Sequence, residues 1–344
     1  MTQVLTFDEG APPTSRTQAR AGIWAVTAAG LLAYAGVLAL AAWVVLRAVP
    51  DTLTLHLAGR AATLHNVHAK VIGNAGALLA TLPLVLVIEA VAVGLPRSSL
   101  HRLLFARSAS TRTDLVVMAL GQTKVLDVVG RVMMLGASLV SGVWIHDRLA
   151  AHGLAPDVAG APWAAQFLVV FTLFTFFDYW THRLDHTHLF WPLHRYHHAA
   201  EEFAVITAGR AHPAALVAVF AFNLPMAALG APADVLLGVC LLMNVLGYLT
   251  HSEIESDWGW FGRWVLQSPL HHRLHHKLNM DTPTGHFGIM PIWDHLFGTW
   301  YGGERPGLPI GVSAPYRHGW WIGPDLVRDY RDFWLGVVGR RARE

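Results

Sequence analysis

The chain has 344 residues, of which 53% are hydrophobic and only 14% are charged, with a net charge of +2 and a mean hydropathy of +0.39. This composition is typical of a membrane protein, and the small net charge gives no reason to expect nucleic acid as a partner. The single cysteine, Cys240, excludes disulfides, thiolate zinc sites and cysteine-held iron–sulfur clusters, so any metal must be held by nitrogen and oxygen.

Apolar segments long enough to cross a membrane follow a polar amino-terminal tail. A span needs about twenty residues for ~30 Å of hydrocarbon. The predicted spans are, in chain order, 22–49, 71–95, 114–145 with its deeper part at 132–145, and 163–180. Residues 212–250 hold two apolar stretches separated by Gly230-Ala231-Pro232, which predicts a hairpin. We therefore expect an all-α integral membrane protein, a helical bundle of about four spans plus a membrane hairpin.

The arginines of the short loops predict the orientation. The loop after the second span holds Arg97, Arg102, Arg107 and Arg112, whereas the loop after the third holds only Arg148. Positively charged loops stay in the cytoplasm. With four spans in the inner or plasma membrane, both termini and the histidine-rich segments described next then face the cytoplasm.

Histidines gather in three short segments beside the apolar stretches. These clusters are His182-Arg-Leu-Asp-His186, His194-Arg-Tyr-His197-His198 and His271-His272-Arg-Leu-His275-His276. Residues three or four apart share one helix face, so each cluster can aim two or three rings at one point. Imidazole is an uncharged nitrogen donor that suits zinc, copper, iron and nickel. The sequence therefore predicts a metal site at a membrane face.

Asp178 lies one helical turn before His182, on the stripe that also carries His186. A carboxylate beside a ligating histidine commonly fixes its tautomer, and we expect that supporting role for Asp178. The alternative is that Asp178 and Asp185 simply pair with Arg183.

The third cluster contains two adjacent candidates, His271 and His272. On a helix that turns about 100° per residue, His272, His275 and His276 fall within an arc of about 100° that one metal centre could use. His271 falls outside that arc. The spacing His-x-x-His-His also repeats the second cluster, so we expect His272 to be the ligand.

These residues resemble the fatty acid hydroxylase superfamily, also called the sterol desaturase family. The matching motifs are Asp178-Tyr-Trp-Thr-His182-Arg-x-x-His186, His194-x-x-His197-His198, Ala211-His212-Pro213, Ser268-Pro269-x-x-His272-x-x-His275-His276 and Trp293-Asp294-x-x-Phe297-Gly298-Thr299. Two further segments, around Glu201 and Glu253, are similar to the alkylglycerol monooxygenase branch. The resemblance divides the chain into the tail 1–21, amino-terminal spans 22–113, a hydroxylase-like catalytic domain 114–301 and a cytoplasmic tail 302–344.

The resemblance implies a membrane-embedded di-iron oxygenase that acts on lipid chains or sterols, with two iron ions per chain on a cytoplasmic histidine-rich face. The ligands that it implies are His182, His186, His194, His197, His198, His251, His272, His275 and His276. This chain departs from the family pattern at Gly247, where some members carry a further histidine, and at His286, where asparagine is usual. Whether His286 or His212 adds to the metal shell stays open at this stage.

Nine imidazoles exceed what one metal can use, since zinc generally takes four ligands, but two metals with open positions could absorb them. A pair of ferrous ions can bind and reduce dioxygen and produce an oxidant for an unactivated C–H bond. The chain then aligns one substrate carbon with that oxidant. Hydroxylation and desaturation both remain open.

The electrons must come from another protein. The sequence holds no Gly-x-Gly-x-x-Gly fingerprint after a strand and no Cys-x-x-Cys-His haem attachment, which implies a separate ferredoxin or reductase. Carboxyl-terminal arginines could dock an acidic carrier or could simply follow the positive-inside rule. They are Arg328, Arg331, Arg340, Arg341 and Arg343.

Two other classes of protein remain as alternatives. A b-type haem electron carrier would need axial histidines on facing membrane helices, but the histidines of this chain lie in tight clusters at helix ends. A metal transporter would place ionisable ligands near the bilayer midplane. Only Glu89 and the residues from Lys124 to Arg131 approach that position.

Overall fold

The computed structural model of the protein describes residues 13–57, 60–64, 67–68, 76–122, 125–133, 144–145, 147–154, 160–216, 232–278, 285–303 and 305–339. These residues are mostly helical, and the chain divides by its contacts into two compact units, Met1–Val87 and Ile88–Glu344. The predicted boundary between residues 113 and 114 therefore lies inside the second unit.

The first unit contains helix α1 (Pro13–Ala48) and an antiparallel pair of strands, β1 (Leu53–Leu57) and β2 (Arg60–Leu64). The register places Leu53 opposite Leu64. This hairpin corrects the all-α prediction. In the sequence Leu-Thr-Leu-His-Leu of β1, apolar and polar residues alternate, a period that favours a strand over a helix.

Helix α2 (Ala77–Val93) includes the division between the units. The helices that follow it are α3 (Ser99–Phe105), α4 (Ala109–Gln122), α5 (Val125–Met133), α6 (Trp163–Asp185), α7 (Trp191–His198), α8 (Ala233–Thr250), α9 (Gly259–Trp264), α10 (Pro269–His275), α11 (Ile292–Leu296) and α12 (Gly323–Val337). Single turns of 3-10 helix occupy Leu95–Arg97 and Val205–Gly209.

Two of the described helices are long and apolar enough to cross a membrane, Thr27–Ala48 within α1 and the whole of α6. They coincide with the predicted first and fourth spans. Helix α2 and most of α8 are shorter apolar helices, where the second span and the second arm of the hairpin were predicted. Residues 134–143 and 217–231, which carry the deeper part of the predicted third span and the first arm of the hairpin, lie outside the described residues.

The apolar contact between α6 and α8 sets the position of the histidines. Val170 and Phe174 recur at a helical spacing on α6 and pack with Val235, Val239 and Leu246 of α8. Burying each of these side chains contributes about 2 kcal/mol. Because both helices end at the same side of this core, their last residues lie next to the short helices α7 and α10.

The carboxyl-terminal region predicted as a tail, residues 302–344, includes the ordered helix α12, which packs against α7. The guanidinium of Arg195 on α7 donates hydrogen bonds to Asp329 at 2.7 Å and to Asp332. Phe190 and Phe333 stack beside this ion pair with ring centroids 5.8 Å apart. Helix α12 therefore supports the helix that carries the second histidine cluster.

Candidate metal centre

Five histidines form the first candidate site, which we call group 1. Their ligand nitrogens lie within 4.8 Å of one another, and they are His182, His186, His194, His198 and His275. They come from three elements: α6 and the residue that caps it, α7, and the last residue of α10. The spacing of four residues on α6 and again on α7 turns both members of each pair to one side.

Four further histidines form group 2, and their ligand nitrogens also lie within 4.8 Å of one another. They are His197, His251, His272 and His276. His251 caps the carboxyl end of α8, and its Nε2 lies 2.9 Å from Nε2 of His272 and 3.3 Å from Nε2 of His197. The structure thus brings together all nine histidines that the sequence singled out.

The distribution of the clusters between the groups differs from the prediction that each cluster aims at one point. His197 and His198 are adjacent but belong to different groups, and so are His275 and His276. Adjacent helical residues diverge by about 100°, so a helix inserted between two sites can serve both. The one-centre arc expected for the third cluster is therefore wrong, because His275 belongs to group 1 and His272 to group 2.

Backbone carbonyls fix the ring orientation of four of these histidines. Each ring uses Nδ1 to donate to one carbonyl oxygen. The pairs are His182 with Phe287 at 2.8 Å, His197 with Arg210 at 2.9 Å, His251 with Gly247 at 2.7 Å and His275 with Gly285 at 2.7 Å. A neutral ring that donates through Nδ1 carries a lone pair on Nε2, the form that binds metal.

The Nε2 atoms that point into each group show whether a metal ion fits there. Nε2 of His182, His186 and His275 is buried without a hydrogen-bond partner in the described part of the chain. In group 2, His197 and His251 both donate through Nδ1, so two lone pairs face each other across 3.3 Å. Lone pairs at that distance repel unless a cation lies between them. The donor set therefore fits a metal ion in each group, held by nitrogen alone.

Burial also keeps these rings neutral. It lowers the pKa of His198, His272 and His276 well below the ordinary 6.5, and nearby histidines lower each pKa further. Metals bind the neutral imidazole, so the rings are ready to act as ligands at neutral pH.

The two carboxylates near the first cluster have different surroundings. Oδ2 of Asp185 lies 3.7 Å from Nδ1 of His194 and so can orient that ring. Among the described residues, Asp178 forms no hydrogen bond or ion pair, and the atom that fixes the tautomer of His182 is the carbonyl oxygen of Phe287. Arg183 donates to the hydroxyl of Tyr179 at 3.0 Å, and it pairs with neither aspartate.

Three other histidines lie outside both groups: His212 and His286, which the sequence left open, and His271, which it excluded. His212 uses both ring nitrogens on the backbone, one with Leu326 and one with Ala214. His271 contacts the hydroxyl of Ser268 at 2.8 Å, which agrees with its exclusion from the predicted ligands. His286 has a φ of 60°, a left-handed conformation in which asparagine and histidine are both enriched, so the backbone accommodates either residue at this position.

One supporting pair was missed by the sequence reasoning. Arg210, whose carbonyl oxygen orients His197, is fully buried and forms an ion pair with Asp114 at 2.5 Å. Its guanidinium also donates to the carbonyl oxygen of Ser110 at 2.6 Å. The available signal was an isolated acid and an isolated base in otherwise apolar segments, which indicates a buried pair.

The carboxyl-terminal arginines in the described part of α12 are paired with aspartates of the same helix. Arg328 pairs with Asp325 and Asp329, and Arg331 pairs with Asp332. The other three arginines of this set, residues 340, 341 and 343, lie outside the described residues. Docking of an electron carrier at this end of the chain stays a prediction.

A cavity of about 220 Å³ lies beside both groups. Its walls include His182 and His194 of group 1 and His197, His251 and His272 of group 2. The remaining lining residues that the structure describes are apolar or small, apart from a few polar side chains, and none of these is a lysine or an arginine. An apolar chain segment placed there would lie directly against both candidate metal positions.

Comparison with known proteins identifies relatives of the part of the chain that holds these groups. Residues 167–299 match the fatty acid hydroxylase family model. The chain is 32% identical over 162 residues to an ornithine lipid hydroxylase from Rhizobium tropici, a match that covers 46% of this chain and 49% of that protein. It is 31% identical over 183 residues to alkylglycerol monooxygenase from Xenopus tropicalis, covering 52% of this chain and 39% of that protein. The human alkylglycerol monooxygenase is 29% identical over 182 residues, covering 52% and 38%.

The chain thus spans about half the length of the first of these relatives and about two fifths of the other two. No solved structure matches the chain. The resemblance that the histidine motifs indicated, including that to the alkylglycerol branch, is confirmed. The two long apolar helices and these relatives together indicate association with a membrane.

Proposed function

We propose that the protein is a membrane-bound di-iron oxidoreductase, because residues 167–299 of this chain match the fatty acid hydroxylase family model. It uses dioxygen to hydroxylate or desaturate a lipid or sterol-like substrate. The observation that carries the proposal is the pair of adjacent histidine groups, of five and four members, beside one apolar cavity. Hydroxylation is favoured because the relatives are named as a hydroxylase and as monooxygenases.

Each histidine group would hold one iron ion. Neutral imidazoles without thiolates suit iron, and the family resemblance favours iron over zinc. When bound, the two ions would supply the binding and reduction of dioxygen and the oxidation of an unactivated C–H bond.

The chain's own residues would orient the histidine rings and exclude water from the site. The carbonyl oxygens of Phe287, Arg210, Gly247 and Gly285 hold four rings so that their Nε2 atoms point inward. The apolar cavity wall would exclude water and hold one substrate carbon against the groups. Misplacement of that carbon by about 1 Å can cost roughly a hundredfold in rate, so the wall would control regiochemistry.

The location of the site would let a bilayer lipid enter without crossing water. We propose that the histidine groups face the cytoplasm from the inner or plasma membrane, on the basis of the loop arginines. A ferredoxin or a reductase would then deliver electrons from that side. Labelling of a carboxyl-terminal tag by impermeant reagents in intact cells would contradict this orientation.

The two alternative classes fit the geometry less well. A b-type haem needs two axial histidines, whereas here nine rings converge in two groups. A transporter needs ligands along a path across the bilayer, but these histidines lie together where α6 and α8 end.

The test is product analysis with labelled dioxygen. Membranes that contain the protein would be reduced and exposed to ¹⁸O₂, and their lipids compared with membranes that carry the His186→Ala variant. We expect a lipid that gains one labelled oxygen, or loses two hydrogens, only with the intact protein. An unchanged lipid profile together with an altered cellular metal content would favour transport instead.

A further inference from the structure

The polar side chains that line the cavity are, with one exception, engaged by the protein itself. His212 bonds to two backbone groups, Thr250 donates to the carbonyl oxygen of Gly247, and Gln267 donates to the carbonyl oxygen of His286 at 2.6 Å. Asp185 lies against His194. These polar groups therefore stabilise the cavity wall through contacts within the protein.

Asp178 is the exception. Its side chain lines the cavity, and within the residues that the structure describes it forms no hydrogen bond or ion pair. None of the described residues that line the cavity with it is a lysine or an arginine. Asp178 is partly buried, and a carboxylate shielded from bulk water without a partner is unfavourable, so a donor that reaches it in the cavity would be bound.

We propose that Asp178 binds a hydrogen-bond donor of the substrate, which rests on the function proposed above. The donor would be a hydroxyl, an amide N–H or an ammonium group close to the carbon that is oxidised. A carboxylate or phosphate placed directly against Asp178 would be repelled by its charge. The substrate class is thus a lipid with a neutral or cationic donor near its reacting carbon.

The spacing on α6 supports this assignment. Asp178 lies one turn before His182, and four residues of helix advance about 6 Å. A donor held by Asp178 therefore places the carbons a few bonds away beside group 1. The remaining wall suits the alkyl part, because Ala208, Ala211, Ala215 and Gly247 leave room along it.

The experiment compares two lipids that differ only in their donors, a monoalkylglycerol and its dimethyl ether. Equilibrium binding of each to the detergent-solubilised, full-length protein would be measured by quenching of tryptophan fluorescence, with iron content and turnover measured in parallel. We expect the wild-type protein to bind the free diol at least about tenfold more tightly, as a hydrogen bond to a charged acceptor predicts.

Two variants test the role of Asp178. Asp178→Leu should lose the preference between the two lipids and keep its iron, whereas Asp178→Asn, which still accepts a hydrogen bond, should retain most of the preference. Asp185→Asn is the matched control, because it should lower the iron content and leave the preference unchanged.

Equal binding of the two lipids by the wild-type protein would overturn the proposal, and so would an undiminished preference in Asp178→Leu. Loss of iron in both Asp178 variants would also overturn it and assign the residue to the metal site. Failure of the proposed function has a different signature, a wild-type protein that binds no iron and oxidises neither lipid even where it discriminates between them.

Discussion

The imidazole rings of His198 and His276 stack with their centroids 4.1 Å apart and their planes 15° from parallel. His198 belongs to group 1 and His276 to group 2, so this contact joins the two candidate metal sites directly. Because the rings are also buried, neither can move without disturbing the other. We therefore treat the two groups as one structural unit with two metal positions.

The adjacent residues His271 and His272 should respond differently to substitution. Nε2 of His272 lies 2.9 Å from Nε2 of His251, whereas His271 bonds to Ser268 and packs against Trp300. We expect His272→Ala to lose bound iron and activity. His271→Ala should keep most of its iron, with a lower melting temperature because a buried ring is removed. Metal analysis of both variants is the measurement, and equal iron loss would contradict the assignment.

Asp185→Asn should weaken metal binding in group 1. The carboxylate faces Nδ1 of His194 at 3.7 Å, and removal of such a partner typically costs about 10- to 100-fold in metal affinity. Chelator competition would measure the change. The control is Asp178→Asn, which changes a carboxylate on the same helix that contacts none of the described histidines. An equal decrease in both variants would contradict the assignment of this effect to the contact between Asp185 and His194.

The buried pair of Asp114 and Arg210 should be essential for folding. Both side chains are fully buried, so Asp114→Asn leaves an uncompensated guanidinium and should lower the free energy of unfolding by about 3–5 kcal/mol. The control pair is Asp257 and Arg263, 3.1 Å apart, with side chains 36% and 51% exposed. Asp257→Asn should cost at most about 1 kcal/mol. Thermal unfolding in detergent compares them, and similar melting temperatures would refute the prediction.

Acidification should destabilise the metal-free protein. Burial lowers the pKa of His197, His198 and His275 well below 6.5 in the folded state. In the unfolded chain these rings regain the ordinary value, so below pH 6.5 the unfolded state binds more protons than the folded state. The free energy of unfolding should then decrease as the pH falls. Melting temperatures measured between about pH 7.5 and about pH 5 check the sign, and a rise towards acid would contradict it.

The ligand candidates could be predicted from the sequence because they depend on local spacing. His182 and His186 share one helix face by periodicity alone, and the repeated His-x-x-His-His selected His272 over His271. The division into two groups could not be predicted. It depends on where α7 and α10 insert between the other elements, and this is a property of tertiary packing.

The atoms that orient the histidine rings could not be predicted from the sequence either. Main-chain carbonyl oxygens orient His182 and His275, and a carbonyl oxygen can come from any residue type, so no side-chain pattern marks it. The expected role of Asp178 rested on its spacing from His182 alone. That spacing does not predict that the side chain lines the cavity, as it does in the structure. The segment of helix α12 was predicted to be a charged tail. Its aspartates form ion pairs with Arg195, and this residue is too distant in the sequence for the pairing to be predicted.

Metal analysis of the protein purified without oxygen in mild detergent tests the central claim most directly. Two complete histidine groups predict about two iron ions per chain. Substitution of His251, which serves group 2 alone, should lower the iron content while group 1 keeps most of its own. A wild-type protein that contains zinc alone, or no metal in any preparation, and that takes up no oxygen on reduction would contradict the account.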